Sequence, residues 1–158
     1  MPNKIFTVTQ QTIKRIITAL ISAIIFSFIV SLFSYTPLSQ REPNVLYFEI
    51  LDTFVFTLMY VIPVYILIGI PISYGIDKLS KNQTQQSVLK AYLIRVFIYA
   101  IAGLVPGFMF YILFNDGFSY FSLHLLITMM LYSILASNLF FHILLILNKI
   151  IITKRAVG

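Results

Sequence analysis

Long apolar runs separated by short polar segments dominate the chain. Four runs, at residues 16–35, 53–76, 91–114 and 123–147, each contain at least 20 residues, and Arg95 is the only charged residue in any of them. A helix needs roughly 20 apolar residues to cross a hydrocarbon core of about 30 Å. The pattern therefore predicts an all-α fold, an integral membrane bundle of four transmembrane helices.

The segments between the runs have the composition of loops. Residues 36–52 contain Pro37, Pro43 and Asn44, and residues 115–122 contain an Asp-Gly pair, both typical of turns. Residues 77–90 are polar throughout most of their length. No loop is long enough for a separate domain, so the 158 residues are predicted to form a single membrane domain.

Basic residues are distributed very unequally between the two predicted faces of the membrane. Ten of the 11 lie in or beside the N-terminal segment, residues 77–90 and the C-terminal segment, and Arg41 is the exception. Cytoplasmic loops retain Lys and Arg. The distribution predicts a multi-pass protein of the cell membrane with both termini cytoplasmic, residues 77–90 cytoplasmic, and residues 36–52 and 115–122 outside.

The same distribution suggests the partners. Basic residues that flank membrane spans face the anionic head groups of the cytoplasmic leaflet. Nucleic acid is not expected as a partner, because the basic residues are spread over three separate segments. Another membrane protein is the second class of partner considered.

Composition removes several kinds of chemistry. Only 10% of the residues are charged, against roughly 25% in soluble domains, so the chain has too few charges to cover its surface in water. There is no cysteine, which excludes disulfides, thiolate metal sites and cysteine nucleophiles. His124 and His142 are 18 residues apart, about 27 Å along a helix, so they cannot share a metal ion. No enzyme activity, metal or other cofactor is predicted.

Small residues recur at helical spacing in two spans. Spans in lipid associate through close backbone approach, which small residues permit. We therefore predict helix-packing positions at these residues: Ala19, Ala23, Ser27 and Ser31 in the first span, and Gly103 and Gly107 in the third.

Three polar residues within the spans are candidates for function, because polar side chains are costly inside a membrane. Arg95 either extends its side chain to the head groups or pairs with Asp77. Asn138 and His142 lie one turn apart and are expected to hydrogen-bond to each other or to a neighbouring helix. They serve either helix packing or a proton relay or ligand contact.

Proline interrupts two of the spans. Pro63, Pro71 and Pro106 each remove a backbone donor and clash with the preceding turn. Such residues produce either a fixed kink or a hinge in a broken helix along a transport path. The second span, which also contains Gly69 and Gly75, is the favoured place for a hinge.

One stretch resembles a known family. Residues 59–81 read MYVIPVYILIGIPISYGIDKLSK, and this proline-rich span with its Asp-Lys exit is similar to small multi-pass membrane proteins of Gram-positive bacteria. That family is classed as uncharacterised. The resemblance implies a multi-pass location in the cell membrane and transfers no catalytic residue.

These observations favour contact over catalysis. We expect a non-enzymatic accessory or immunity-type membrane protein that acts through helix–helix contacts. The first alternative is a small transporter or channel with a path along the second and fourth spans. The second is a holin-like protein that permeabilises the membrane.

Overall fold

The computed structural model describes residues 4–80, 87–114 and 122–157, and it places side chains within 9–79, 87–113 and 122–149. Residues 81–86 and 115–121 of the two predicted loops lie outside this part of the chain. The described residues contain helices and no strand. The elements are α1 (Lys4–Phe33), a 3-10 turn (Leu38–Gln40), α2 (Ile50–Val64), a π segment (Tyr65–Gly69), α3 (Ile70–Ser80), α4 (Val88–Phe114) and α5 (Leu123–Val157).

Four helical stretches are long and apolar enough to cross a membrane, and the predicted fold class is confirmed. They are Thr9–Phe33, Ile50–Leu79, Val88–Leu113 and Leu123–Lys149. The helices continue beyond the apolar runs, because backbone hydrogen bonds and not apolar side chains hold a helix together. Asp77, which the sequence assigned to a loop, therefore belongs to α3.

The first helix is the most enclosed of the four. In its most apolar part 39% of the residues are buried, against 11% for the stretch formed by α2 and α3. Most of its buried side chains are small: the predicted packing residues Ala19, Ala23, Ser27 and Ser31 are each 1% exposed or less. Small side chains let α2 and α5 approach the α1 backbone from two directions.

Close contact between α4 and α5 depends on two glycines. A Cβ atom added to Gly103 would lie 2.8 Å from the Ser133 carbonyl oxygen, and one added to Gly107 would lie 3.0 Å from the Met129 carbonyl oxygen. The side chains opposite are also small, since Ser137 and Ser133 each lie at 3.0 Å from one of these positions. The predicted packing glycines thus lie where two helix backbones nearly touch.

The prolines of the second span flank a change in helix type. Pro63 lies within α2, and Pro71 follows the π segment. The Ile70 amide donates to the Tyr65 carbonyl, five residues earlier. Pro71 has no amide hydrogen to continue an α-helical pattern. The sequence predicted an interruption here, and the structure shows a continuous helical path with one widened turn.

The helices do not close evenly around the bundle. Adjacent pairs are α4 with α5, α5 with α1, and α1 with α2. α3 contacts α4 near one end of the bundle, whereas α2 packs against α4 only weakly. The bundle is therefore loosely packed between α2 and α4.

Candidate functional site

A cavity of about 360 Å³ occupies the space between α2 and α4. Its lining includes Phe26 of α1, Val61 of α2, Pro106 of α4 and Tyr132 of α5. It is partly open. Because α2 and α4 make little contact, we infer that the opening lies between them and faces the hydrocarbon of the bilayer.

The cavity surface is mainly apolar. No described residue that lines it carries a formal charge. Two of its polar groups are already bonded to backbone: the Tyr65 hydroxyl donates to the Ala136 carbonyl at 2.7 Å, and the Ser137 hydroxyl donates to the Tyr99 carbonyl at 2.6 Å. Such a surface suits an apolar ligand better than a polar one.

Aromatic rings form part of the cavity wall. The Tyr65 ring stacks on Phe140 with centroids 5.7 Å apart, and Tyr99 stacks on Phe141 at 4.9 Å. The Tyr99 hydroxyl is buried and has no hydrogen-bond partner among the described residues. Ile72 also lines the cavity and directly precedes Ser73, which belongs to an ionic cluster, so this part of the cavity adjoins that cluster.

An ionic cluster joins α1 to α3 beside this part of the cavity. The Arg15 guanidinium donates to the Asp77 carboxylate at 2.5 Å and to the Ser73 hydroxyl. It also lies over the Tyr74 ring, 3.8 Å from the centroid. The Tyr74 hydroxyl in turn is 2.8 Å from the Thr12 hydroxyl. Arg15 is only 5% exposed, so this arginine is a buried, fully positioned cation.

A second, polar pocket of about 480 Å³ adjoins this cluster. α1 contributes Gln11, Lys14 and Arg15, α3 contributes Tyr74, Asp77 and Lys78, and α5 contributes Leu144 and Asn148. The Lys14 ammonium donates to the Asn148 side-chain oxygen at 2.6 Å. The pocket therefore lies where the ends of three membrane-crossing helices meet.

Of the two places predicted for Arg95, the structure bears on the pairing with Asp77, and the extension of its side chain to the head groups stays a prediction. The acid that the sequence offered as its partner, Asp77, pairs with Arg15, and no ion pair between Asp77 and Arg95 occurs in the described chain. The predicted pair of Arg95 with Asp77 was wrong, because the Arg15 side chain is buried and binds Asp77. The sequence had suggested that Arg15 would only flank the first span. The Arg95 Nε is buried without a partner among the described residues.

Asn138 and His142 are adjacent, but their side chains do not bond to each other. The His142 Nδ1 lies 2.7 Å from the Asn138 backbone carbonyl, and its Nε2 lies 2.8 Å from the Tyr92 hydroxyl of α4. A carbonyl oxygen only accepts, so Nδ1 donates in the first of these bonds, and Nε2 is left to bond the Tyr92 hydroxyl. The Asn138 amide nitrogen donates to the Ile134 carbonyl, and its oxygen is buried without a partner in the described structure.

Arg41 organises the loop at the opposite end of the bundle. It donates to the Glu49 carboxylate at 2.7 Å and to the Thr36 carbonyl at 2.9 Å. Its guanidinium also lies 5.7 Å from the Tyr35 ring and 5.6 Å from the Tyr47 ring. The hydrogen bond between the two charged groups raises the pKa of Arg41 and lowers the pKa of Glu49.

Comparisons with known proteins add no family. No protein-family model, curated protein or solved structure matches the chain. The resemblance of residues 59–81 therefore stays a prediction.

Sequence reasoning missed the roles of Arg15, Ser73 and Tyr65. The sequence did contain one indication of the ionic cluster. Asp77 is the only acidic residue in the segments predicted to be cytoplasmic, and ten basic residues lie in or beside these segments. Ser73 and Asp77 are also four residues apart and so share a helix face. Nothing in the sequence indicated that the Tyr65 hydroxyl would reach α5.

Proposed function

We propose that this chain is a small, non-enzymatic membrane protein that acts through contacts made inside the bilayer. Its principal binding site is the cavity between α2 and α4, and its ligand is a single extended apolar chain such as the acyl chain of a lipid. The observation that carries the proposal is a mainly apolar cavity of about 360 Å³ in a bundle that leaves α2 and α4 apart. That volume falls within the usual range for small-molecule sites, about 300–1,000 Å³.

The size of the cavity favours an extended chain over a partner helix. The cavity is lined by residues of α1, α2, α4 and α5, so an occupant must enter between helices of one bundle. A helix with its side chains is 10–12 Å wide, whereas an extended hydrocarbon chain is much narrower. A partner protein would contact the outer faces of the bundle.

The test fills the cavity and counts retained lipid. Val61→Phe enlarges a side chain that lines the cavity, whereas Val55→Phe makes the same change on a 46% exposed position of the same helix outside the lining. Native mass spectrometry of protein released from phosphatidylcholine nanodiscs should detect about one retained lipid per wild-type chain. Val61→Phe should lose it and Val55→Phe should keep it. Equal retention by both variants would refute the cavity as the site.

The same preparations separate the other functions. In proteoliposomes, movement of the bound lipid between leaflets that Val61→Phe abolishes would favour the small transporter, for which the π segment and the adjoining cavity are the supporting observation. Collapse of a membrane potential on expression would favour the holin-like alternative. Lipid binding without either effect supports the accessory or immunity-type protein. We propose for all three functions a location in the cell membrane with both termini cytoplasmic.

A further inference from the structure

We propose that the polar pocket between α1, α3 and α5 binds the phosphate group of one anionic phospholipid. This site is separate from the apolar cavity and does not depend on the function proposed for it. Three of its lining side chains are cationic, Lys14, Arg15 and Lys78, and one is anionic, Asp77. The lining therefore carries a net charge of +2, which suits a singly charged phosphodiester.

The pocket lies at the depth of lipid head groups. Asp77 and Lys78 directly follow the apolar run at residues 53–76, and Asn148 directly follows the run at 123–147. Arg15 directly precedes the run at 16–35. A basic pocket between helix ends at this depth is the arrangement that binds anionic head groups.

Two of the cations are held in place before any ligand arrives. Arg15 is fixed by Ser73 and Asp77 and by the Tyr74 ring beneath it. The Lys14 ammonium is fixed by Asn148. Fixed groups lose little conformational entropy on binding, so the pocket is prepared for an anion. Lys78 is exposed and is free to close over the phosphate from the α3 side.

Its surroundings favour a lipid over a soluble phosphate. The lining includes Leu144 and the Tyr74 ring as well as the charged groups. These apolar surfaces suit the glycerol and upper acyl region of a phospholipid. Free phosphate would gain nothing from them.

Lipid titration followed by native mass spectrometry in a zwitterionic detergent tests the site. Phosphatidylglycerol should bind with one tight site per chain, and phosphatidylcholine should bind more weakly. Lys14→Gln and Lys78→Gln should each weaken phosphatidylglycerol binding about fivefold, the effect expected for one basic group at a membrane surface. Lys90→Gln is the matched control, because Lys90 is an exposed lysine of α4 outside the lining.

Three results would overturn the proposal. Equal binding of phosphatidylglycerol and phosphatidylcholine would show that the pocket does not read charge. An equal loss in Lys90→Gln would show diffuse attraction in place of a site. Thermal stabilisation by inorganic phosphate as large as that by phosphatidylglycerol at the same concentration would assign the pocket to a soluble anion.

Replacing the carboxylate of Asp77 should change the affinity for phosphatidylglycerol in the opposite direction. Asp77→Asn removes the one negative charge of the lining with almost no change in shape. We expect phosphatidylglycerol to bind about fivefold more tightly to this variant, measured well below its unfolding temperature. Weaker binding would show that the pocket does not accept an anion.

Discussion

The guanidinium of Arg15 in α1 donates to the carboxylate of Asp77 in α3 at 2.5 Å. This contact brings together the start of the first membrane-crossing helix and the end of the second. The two side chains are unequally buried, because that of Arg15 is 6% exposed and that of Asp77 is 45% exposed. Breaking the pair should therefore destabilise the fold mainly through Arg15, whose buried guanidinium would lose its counter-charge away from water.

Loss of the acid should destabilise the bundle. Asp77→Asn leaves a buried guanidinium without its counter-charge, and we expect a loss of about 1–3 kcal/mol in unfolding free energy, below the full value for a buried pair because Asp77 is half exposed. Arg15→Met combined with Asp77→Asn should cost less than the sum of the single changes. Reversible unfolding in mixed detergent measures each value. Lys78→Gln, at the next position, is the control, and an equal effect there would contradict the pairing.

The α4–α5 contact should not tolerate a methyl group. Gly103→Ala places a Cβ 2.8 Å from a backbone oxygen, and separation of the helices should cost about 1–3 kcal/mol. Gly75→Ala is the same change in α3, but there the added Cβ meets no atom within 4 Å. This variant should raise the unfolding free energy by up to about 1 kcal/mol, because alanine favours the helix. Thermal unfolding of both variants tests the pair. Similar shifts in the two would argue against a close α4–α5 approach.

Larger residues should be tolerated on one face of α1 and not on another. Ala23 is fully buried, whereas Ile24 is 51% exposed. Ala23→Leu forces extra volume into the helix contact and should lower the unfolding temperature in detergent, with a cost of about 1–3 kcal/mol. Ile24→Phe enlarges a side chain that faces outward and should have little effect. The prediction fails if Ala23→Leu unfolds at the wild-type temperature.

The ion pair in the loop between α1 and α2 should contribute less to stability in acid. The hydrogen bond from Arg41 lowers the pKa of Glu49 below its ordinary value near 4.5. The ion pair is thus fully present above pH 4.5 and is lost as the pH falls through the lowered pKa. Unfolding temperatures between pH 7 and pH 3 should fall more steeply for wild type than for Arg41→Gln, which lacks the pair. Parallel pH profiles for the two proteins would show that the pair adds no stability.

Asn138 and His142 should differ in their effect on stability. The Asn138 oxygen is buried and unpartnered within the described residues, so Asn138→Leu should change unfolding free energy by less than about 0.5 kcal/mol or raise it. His142→Leu removes the bond to Tyr92 and should cost about 0.5–1.5 kcal/mol. Tyr92→Phe removes the same bond, and the double variant should add no further loss. Additive losses would mean that the two side chains act independently.

Hydropathy was enough to predict the four membrane-crossing helices, because the bilayer sets their length and excludes unpaired backbone. It was not enough to place Arg15. Sequence gives the depth of a residue along its span but not the helix that faces it, so Arg15 was counted among flanking charges and Asp77 was offered to Arg95. The cavity was equally out of reach, because it depends on the separation of α2 from α4 and not on any residue pattern.

The π segment also decides which side of α3 meets α1. Before it, Val61 and Tyr65 are four residues apart on the inward side of the helix, and after it Ile70, Ser73 and Ile76 follow at intervals of three. Tyr65 and Ile70 are five apart, one residue more than an α-helical turn allows. Each residue turns an α-helix by about 100°, so an uninterrupted helix through this point would swing Ser73 and Asp77 by that angle away from Arg15. The angular register of the ionic cluster is thus set two turns earlier, in the stretch between the two prolines.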